Sequence, residues 1–204
     1  MPISVSDSGG GSFKQLPAGT HVARCIRLID LGTQEGEYQG EKHYRRQVQI
    51  TWEVPGELND DGQPMIVSGW YTASLGEKAK LRHILETWRG RQFTKEELRR
   101  FELSAVLGQP AMLAVTHNAN DRARVEAVAK LPKGTTCPPA VNATLLLSLD
   151  RSEYDPKVYE ALSPKMREMI AKSPEWQELQ VPDRELAQPA LPESIADMDD
   201  DIPF

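Results

Sequence analysis

The sequence predicts a mainly β fold, and three features carry that prediction. Residues 43–54 alternate polar and apolar side chains apart from Arg46, the pattern of a strand with one face on a core and one in water. Asn59-Asp60-Asp61-Gly62 is a hairpin signal that returns the chain along that strand. The period then switches to a helical stripe in residues 76–89, before two further alternating segments.

Taken in order, residues 1–12 end in Ser8-Gly9-Gly10-Gly11-Ser12 and read as a flexible leader. Residues 20–31 form a first strand carrying Val22, Ile26, Leu28 and Ile29. Residues 32–42 are rich in Gly, Gln and Glu, with Tyr38 as their one aromatic, and read as a loop. In residues 43–54 one face holds Tyr44, Arg46, Val48, Ile50, Trp52 and Val54. The other holds His43, Arg45, Gln47, Gln49, Thr51 and Glu53. A turn over residues 55–62 leads to a third strand, residues 64–74. Leu81, Ile84, Leu85 and Trp88 then fall on one helical face, and Gly90 ends that helix. Thr94-Lys95-Glu96-Glu97 has the spacing of a capping box and opens a short second helix through Leu98 and Phe101. Residues 109–117 and 122–130 are two more strands around the turn Asn118-Ala119-Asn120-Asp121.

Three strands, a helix and two strands is the order of an OB-fold, a five-stranded Greek-key barrel with its helix between strands 3 and 4. Residues 13–134 are assigned to this domain. An extended segment at residues 140–149 and two helical stretches, 156–162 and 163–172, make residues 135–180 a helical appendage. Val158, Tyr159, Leu162, Met166, Met169 and Ile170 are its apolar face. Residues 181–204 carry Pro182, Pro189, Pro192 and Pro203 with much negative charge, a composition that predicts a disordered tail.

The net charge of −6 is unevenly placed. Between Pro182 and Phe204 lie Asp183, Glu185, Glu193, Asp197, Asp199, Asp200 and Asp201 against Arg184, so the tail accounts for all of it. Residues 13–134 hold 18 Lys and Arg against 15 Asp and Glu, a net of +3. A weakly basic body with an acidic tail excludes the heavy basic load of a tight duplex binder. No apolar stretch approaches the length of a membrane span. The start has no basic region followed by an apolar run, so the expected location is the cytoplasm.

Catalysis finds no motif. His21, His43, His83 and His117 are scattered, Cys25 and Cys137 are isolated, and Asp60-Asp61 sits in a turn signal. No metal or cofactor is expected.

The sharpest feature is the acidic run Asp197, Asp199, Asp200, Asp201 followed by Ile202-Pro203-Phe204. This ending resembles the tail tip of bacterial single-stranded-DNA-binding proteins. The resemblance implies docking on replication, recombination and repair proteins. The chemistry suits that role: Phe204 offers a ring and a terminal carboxylate to one pocket, Pro203 lowers the ordering cost, and the aspartates steer the peptide to basic surfaces. The body resembles the phage-encoded group of such proteins, through Leu107-Gly108-Gln109-Pro110-Ala111-Met112-Leu113, Leu131-Pro132-Lys133-Gly134 and Leu147-Ser148-Leu149-Asp150. That likeness implies work in phage replication, recombination or repair in a bacterial host.

Single strands bind through phosphate neutralisation and base stacking, and an OB-fold uses its second and third strands and adjoining loops. The expected DNA contacts are Arg45, Gln47, Gln49 and Trp70 on the strands, with Tyr38, Lys42, Arg122 and Arg124 from the loops. Tyr71, Trp52 and Trp88 are assigned to the core. Two other readings use the same residues: an adaptor that binds DNA weakly, and a DNA-processing enzyme with an OB-like domain. Oligomeric state is not encoded in any motif.

Overall fold

The computed structural model describes residues 14–181. The leader at residues 1–12 and the tail tip (Asp197, Asp199, Asp200, Asp201, Ile202, Pro203, Phe204) lie outside the described residues.

The fold is mainly β and organised by one long strand, β1 (Gly19–Tyr38), which serves several partners in turn. Its first part, from Gly19 to Arg24, pairs antiparallel with β4 (Pro110–His117). From Arg24 to Tyr38 it pairs antiparallel with β2 (Glu41–Leu58). Register shifts at Cys25/Arg27 and Asp30/Gly32 bend it between these roles, as bulges do. β2 pairs with β3 (Pro64–Thr72), and β4 with β5 (Ala123–Ala129). The order is β3-β2-β1-β4-β5, and β6 (Leu145–Leu147) joins β1 in parallel at Arg27–Ile29.

The expected closed five-stranded barrel is corrected here: the sheet has six strands and does not close. β3 and β5, at opposite ends of the order, approach one another but share no ladder among the described pairings. Helix α1 (Lys80–Arg89) packs against both. Its Thr87 hydroxyl donates to the Val128 carbonyl at 2.7 Å, and Thr87's own carbonyl accepts from Lys130 N–H at 3.1 Å. The helix thus supplies hydrogen bonds along β5 that a neighbouring strand supplies in a closed barrel.

The alternation in β2 sends Val48, Ile50, Trp52 and Val54 into one core with Tyr71, Leu81, Ile84, Leu85, Trp88, Leu113 and Val125. Trp52 and Trp88 meet there, ring centroids 5.8 Å apart. Each such side chain contributes about 1.5–3 kcal/mol on burial. α1 ends at Gly90 in the left-handed region, as its C-cap. Helix α2 (Lys95–Arg99) has both bonds of the Thr94–Glu97 capping box. A 3₁₀ turn, Leu103–Val106, leads into β4.

Two further expectations are corrected. Residues 32–42 are not a loop but the end of a hairpin arm. β3 stops at Thr72, opposite Gln47, so residues 33–38 and 41–46 run on as two strands, closed by Gln39-Gly40 with φ of 54° and 81°. Two consecutive positive φ angles make the tight hairpin turn that matches strand twist. For the same reason Tyr44 and Arg46, expected on the core face, lie beyond the core. Tyr44 is exposed, and Arg46 pairs with Asp30.

The appendage has three helices, α3 (Pro156–Glu160), α4 (Pro164–Ala171) and α5 (Pro174–Gln180). Asp155, Ser163 and Ser173 cap them, each before a proline at the first turn. Their apolar faces form a second core with Ile29, Leu31, Leu147 and Leu149. β1 therefore has a core on both faces, which its bulges permit. Gly32 (φ 67°) makes room for α5: a Cβ there would lie 2.3 Å from the Ser173 hydroxyl oxygen. Next to it, Glu175 accepts from Thr33 N–H at 2.7 Å and from the Thr33 hydroxyl at 2.6 Å.

Candidate nucleic-acid interface

The outward face of β2 and β3 is set by register. Gln47 lies opposite Thr72, Gln49 opposite Trp70, Thr51 opposite Ser68 and Glu53 opposite Ile66. Side chains in such pairs lie about 4.5–5.5 Å apart at Cβ. Trp70 is 46% exposed and Ile66 50%, whereas Tyr71 is 4% exposed. Tyr71 fits the core because its ring folds over Gly69, where a Cβ would meet the phenol oxygen at 2.2 Å. Burial pushes that phenol's pKa up.

The polar strip expected along β2 is only partly open. Arg45 is exposed and Gln47 half-buried, but Gln49, Thr51 and Glu53 are buried. Gln49 lies in register between Ile29 on β1 and Trp70 on β3. Thr51 shares a hydrogen bond of 2.9 Å with Ser68.

Glu53 is covered by the segment that follows β5. Val141 N–H and Asn142 N–H each donate to its carboxylate at 2.8 Å, and the Asn142 amide donates at 2.7 Å. Its register partner Arg24 holds the same segment, donating to the carbonyls of Cys137 at 2.8 Å and Pro138 at 3.0 Å. Burial alone would raise the Glu53 pKa. The donors from Asn142 and Val141, and then the Arg24 charge, outweigh it and hold the carboxyl below its ordinary range.

The expected loop contacts fall in two separate places. Lys42 and Tyr38 are on the arm, where Lys42 is tied to Glu35 at 2.7 Å and Tyr38 pairs in register with Glu41. Tyr44, which sequence reasoning placed in the core, is 64% exposed there and donates to Glu35 at 3.2 Å. Arg122 is exposed at the β4–β5 turn, its backbone N–H bonded to Asn118. Arg124 is exposed on β5, 3.7 Å from Glu126. Its charge and that of Glu126 reach Tyr71, so Arg124 is near the end of β3. The structure thus brings Trp70, Gln49, Gln47 and Arg45 onto one face, with Arg124 across the open seam.

A cleft of about 420 Å³ opens beside Arg46 and is lined by Leu28, Val48, Leu75 and Phe101. Asp30, Glu102 and Glu153 outnumber Arg46 in that lining, a balance unfavourable to phosphate. Among the described residues no group of three or more His, Cys, Asp or Glu could hold a metal ion. No helix among them is long and apolar enough to cross a membrane. No protein family matches the chain, and comparison with curated proteins finds no match.

Proposed function

We propose that this chain binds single-stranded DNA on the outward face of β2 and β3, and recruits other proteins through residues 197–204. The observation that carries the reading is Trp70: a large aromatic, half out in solvent, on a sheet face that has Arg45 on the same side. The exposed half of such a ring adds little to the stability of the fold, whereas an unstacked base gains about 1–3 kcal/mol from it.

The strand order supports an opened OB-fold. β1 is shared between β2 and β4, the helix falls between β3 and β4, and β3 faces β5 across a seam without a ladder. In an OB-fold the second and third strands, the first hairpin and the last hairpin contact nucleic acid. Here those are the Trp70 face, the arm with Tyr38 and Lys42, and the turn with Arg122 and Arg124. The Asp201-Ile202-Pro203-Phe204 sequence supplies the recruiting element by resemblance. The setting this implies is phage replication, recombination or repair in bacterial cytoplasm, with no catalytic step and no cofactor.

The test is titration of a labelled single strand against duplex competitor across a salt series. Single strands bind more tightly, with a log–log salt slope of roughly −2 to −4 for a few neutralised phosphates. Equal affinity for duplex and single strand overturns the reading.

A further inference from the structure

We infer that residues 137–142, which lie outside the five-strand path, form part of the strand-binding surface: Val141 is an apolar contact for bases, and Glu53 is the residue that positions it. The inference rests on the single-strand reading above.

The first argument is shape. Val141 is 66% exposed, although its backbone is pinned by a fully buried carboxylate. Ile66, the register partner of Glu53, is 50% exposed. Trp70 stands four residues further along the same face of β3, about 13 Å away at strand rise. Val141, Ile66 and Trp70 therefore line one side of the sheet, with the small Ser68 between the last two. Exposed apolar side chains grouped on one face mark a binding surface.

The second argument is charge, and it names the occupant. Outward positions 45, 47, 49, 51 and 53 of β2 and 66, 68, 70 and 72 of β3 carry a single carboxylate, Glu53. Three N–H donors from Val141 and Asn142 surround that carboxylate. The segment thus hides the one carboxylate among these strand positions, which also include Arg45. A row of strand positions with its acid capped, a cation at one end and apolar contacts along it fits a polyanion with exposed rings.

The experiment compares a fluorescein-labelled oligothymidine with an abasic oligomer of equal length. Val141→Ala weakens oligothymidine binding about three- to tenfold, as loss of a partly covered side chain predicts. It leaves abasic binding, the salt slope and the melting temperature unchanged. Glu53→Gln gives the same selective loss of oligothymidine binding, with a lowered melting temperature, and adding Val141→Ala to it costs little more in binding, because both act through one contact. If Glu53→Gln does not fold, Val141→Ala decides alone. Wild-type oligothymidine binding by Val141→Ala, alongside weakened binding by Trp70→Ala, overturns the inference and leaves the segment a structural clasp. Failure of the wild-type chain to bind oligothymidine overturns the underlying reading instead.

Discussion

Arg24 and Glu53 face each other across β1 and β2, and both hold the same passing segment by hydrogen bonds. The cation takes that segment's carbonyls and the anion takes its N–H groups. A charge pair of this kind fixes position, since a guanidinium can take only acceptors and a carboxylate only donors. Removing one partner of a buried charge arrangement is far costlier than the net worth of the pair.

Trp70→Ala weakens single-strand binding by about 1–3 kcal/mol and leaves the melting temperature near wild type. Trp52→Ala, which empties the centre of the core, destabilises the fold by about 3–5 kcal/mol. Thermal unfolding together with DNA titration separates the two effects. A sharply lowered melting temperature for Trp70→Ala means the ring supports the sheet.

Acid should loosen the chain in a defined window. Glu53 and Glu97 both titrate below their ordinary value of 4.5, and Glu97 falls to about 2, held first by Arg91, then by the Thr94 N–H and Arg89. A carboxyl with a depressed folded pKa contributes stability that is complete above its unfolded value and is lost as pH falls through the folded one. Stability therefore declines from about pH 4.5 downward. Glu53→Gln and Glu97→Gln each flatten that decline in urea unfolding followed across pH. An unchanged slope in both variants contradicts the assignment.

Gly32→Ala should detach the appendage. A left-handed alanine costs about 1–2 kcal/mol, and its Cβ would collide with Ser173. Hydrogen exchange at α5 and the emission of Trp176, stacked on Tyr159 at 4.0 Å, should report the release. Protection of α5 as in wild type would show that the helix does not depend on this contact.

Phe204→Ala should abolish capture of partner proteins from host lysate while leaving single-strand affinity unchanged, because no charge is altered. Pull-down beside DNA titration checks both halves. Undiminished capture of the same proteins by the variant removes the tail from the mechanism.

Local pattern made much of this fold legible. The side of β2 that carries Val48, Ile50, Trp52 and Val54 follows from period-two alternation, and α1 and the Thr94–Glu97 box follow from helical spacing. Ser173-Pro174 repeats the start signal of Ser163-Pro164, so α5 was within reach of the sequence. The burial of Gln49, Thr51 and Glu53 was not. It depends on Ile29, turned outward by bulges that leave no mark in alternation, and on a segment brought in from far along the chain. Tyr44 misled because alternation tells which side a residue faces but not where the neighbouring strand ends.

That distant segment also has a place in time. Arg24 and Cys137 are separated by 113 residues, so their contact closes one of the longest loops in the chain, and long closures come late. On a ribosome strands β1 to β5 emerge before residues 137–142 exist to cover Glu53. The sheet must therefore hold an uncapped carboxylate through its early life and surrender it only when the clasp arrives. In the finished protein Arg24 and Glu53 tie the same segment to β1 and β2 at once, so any local opening of it uncovers a carboxylate that the early sheet had to carry bare.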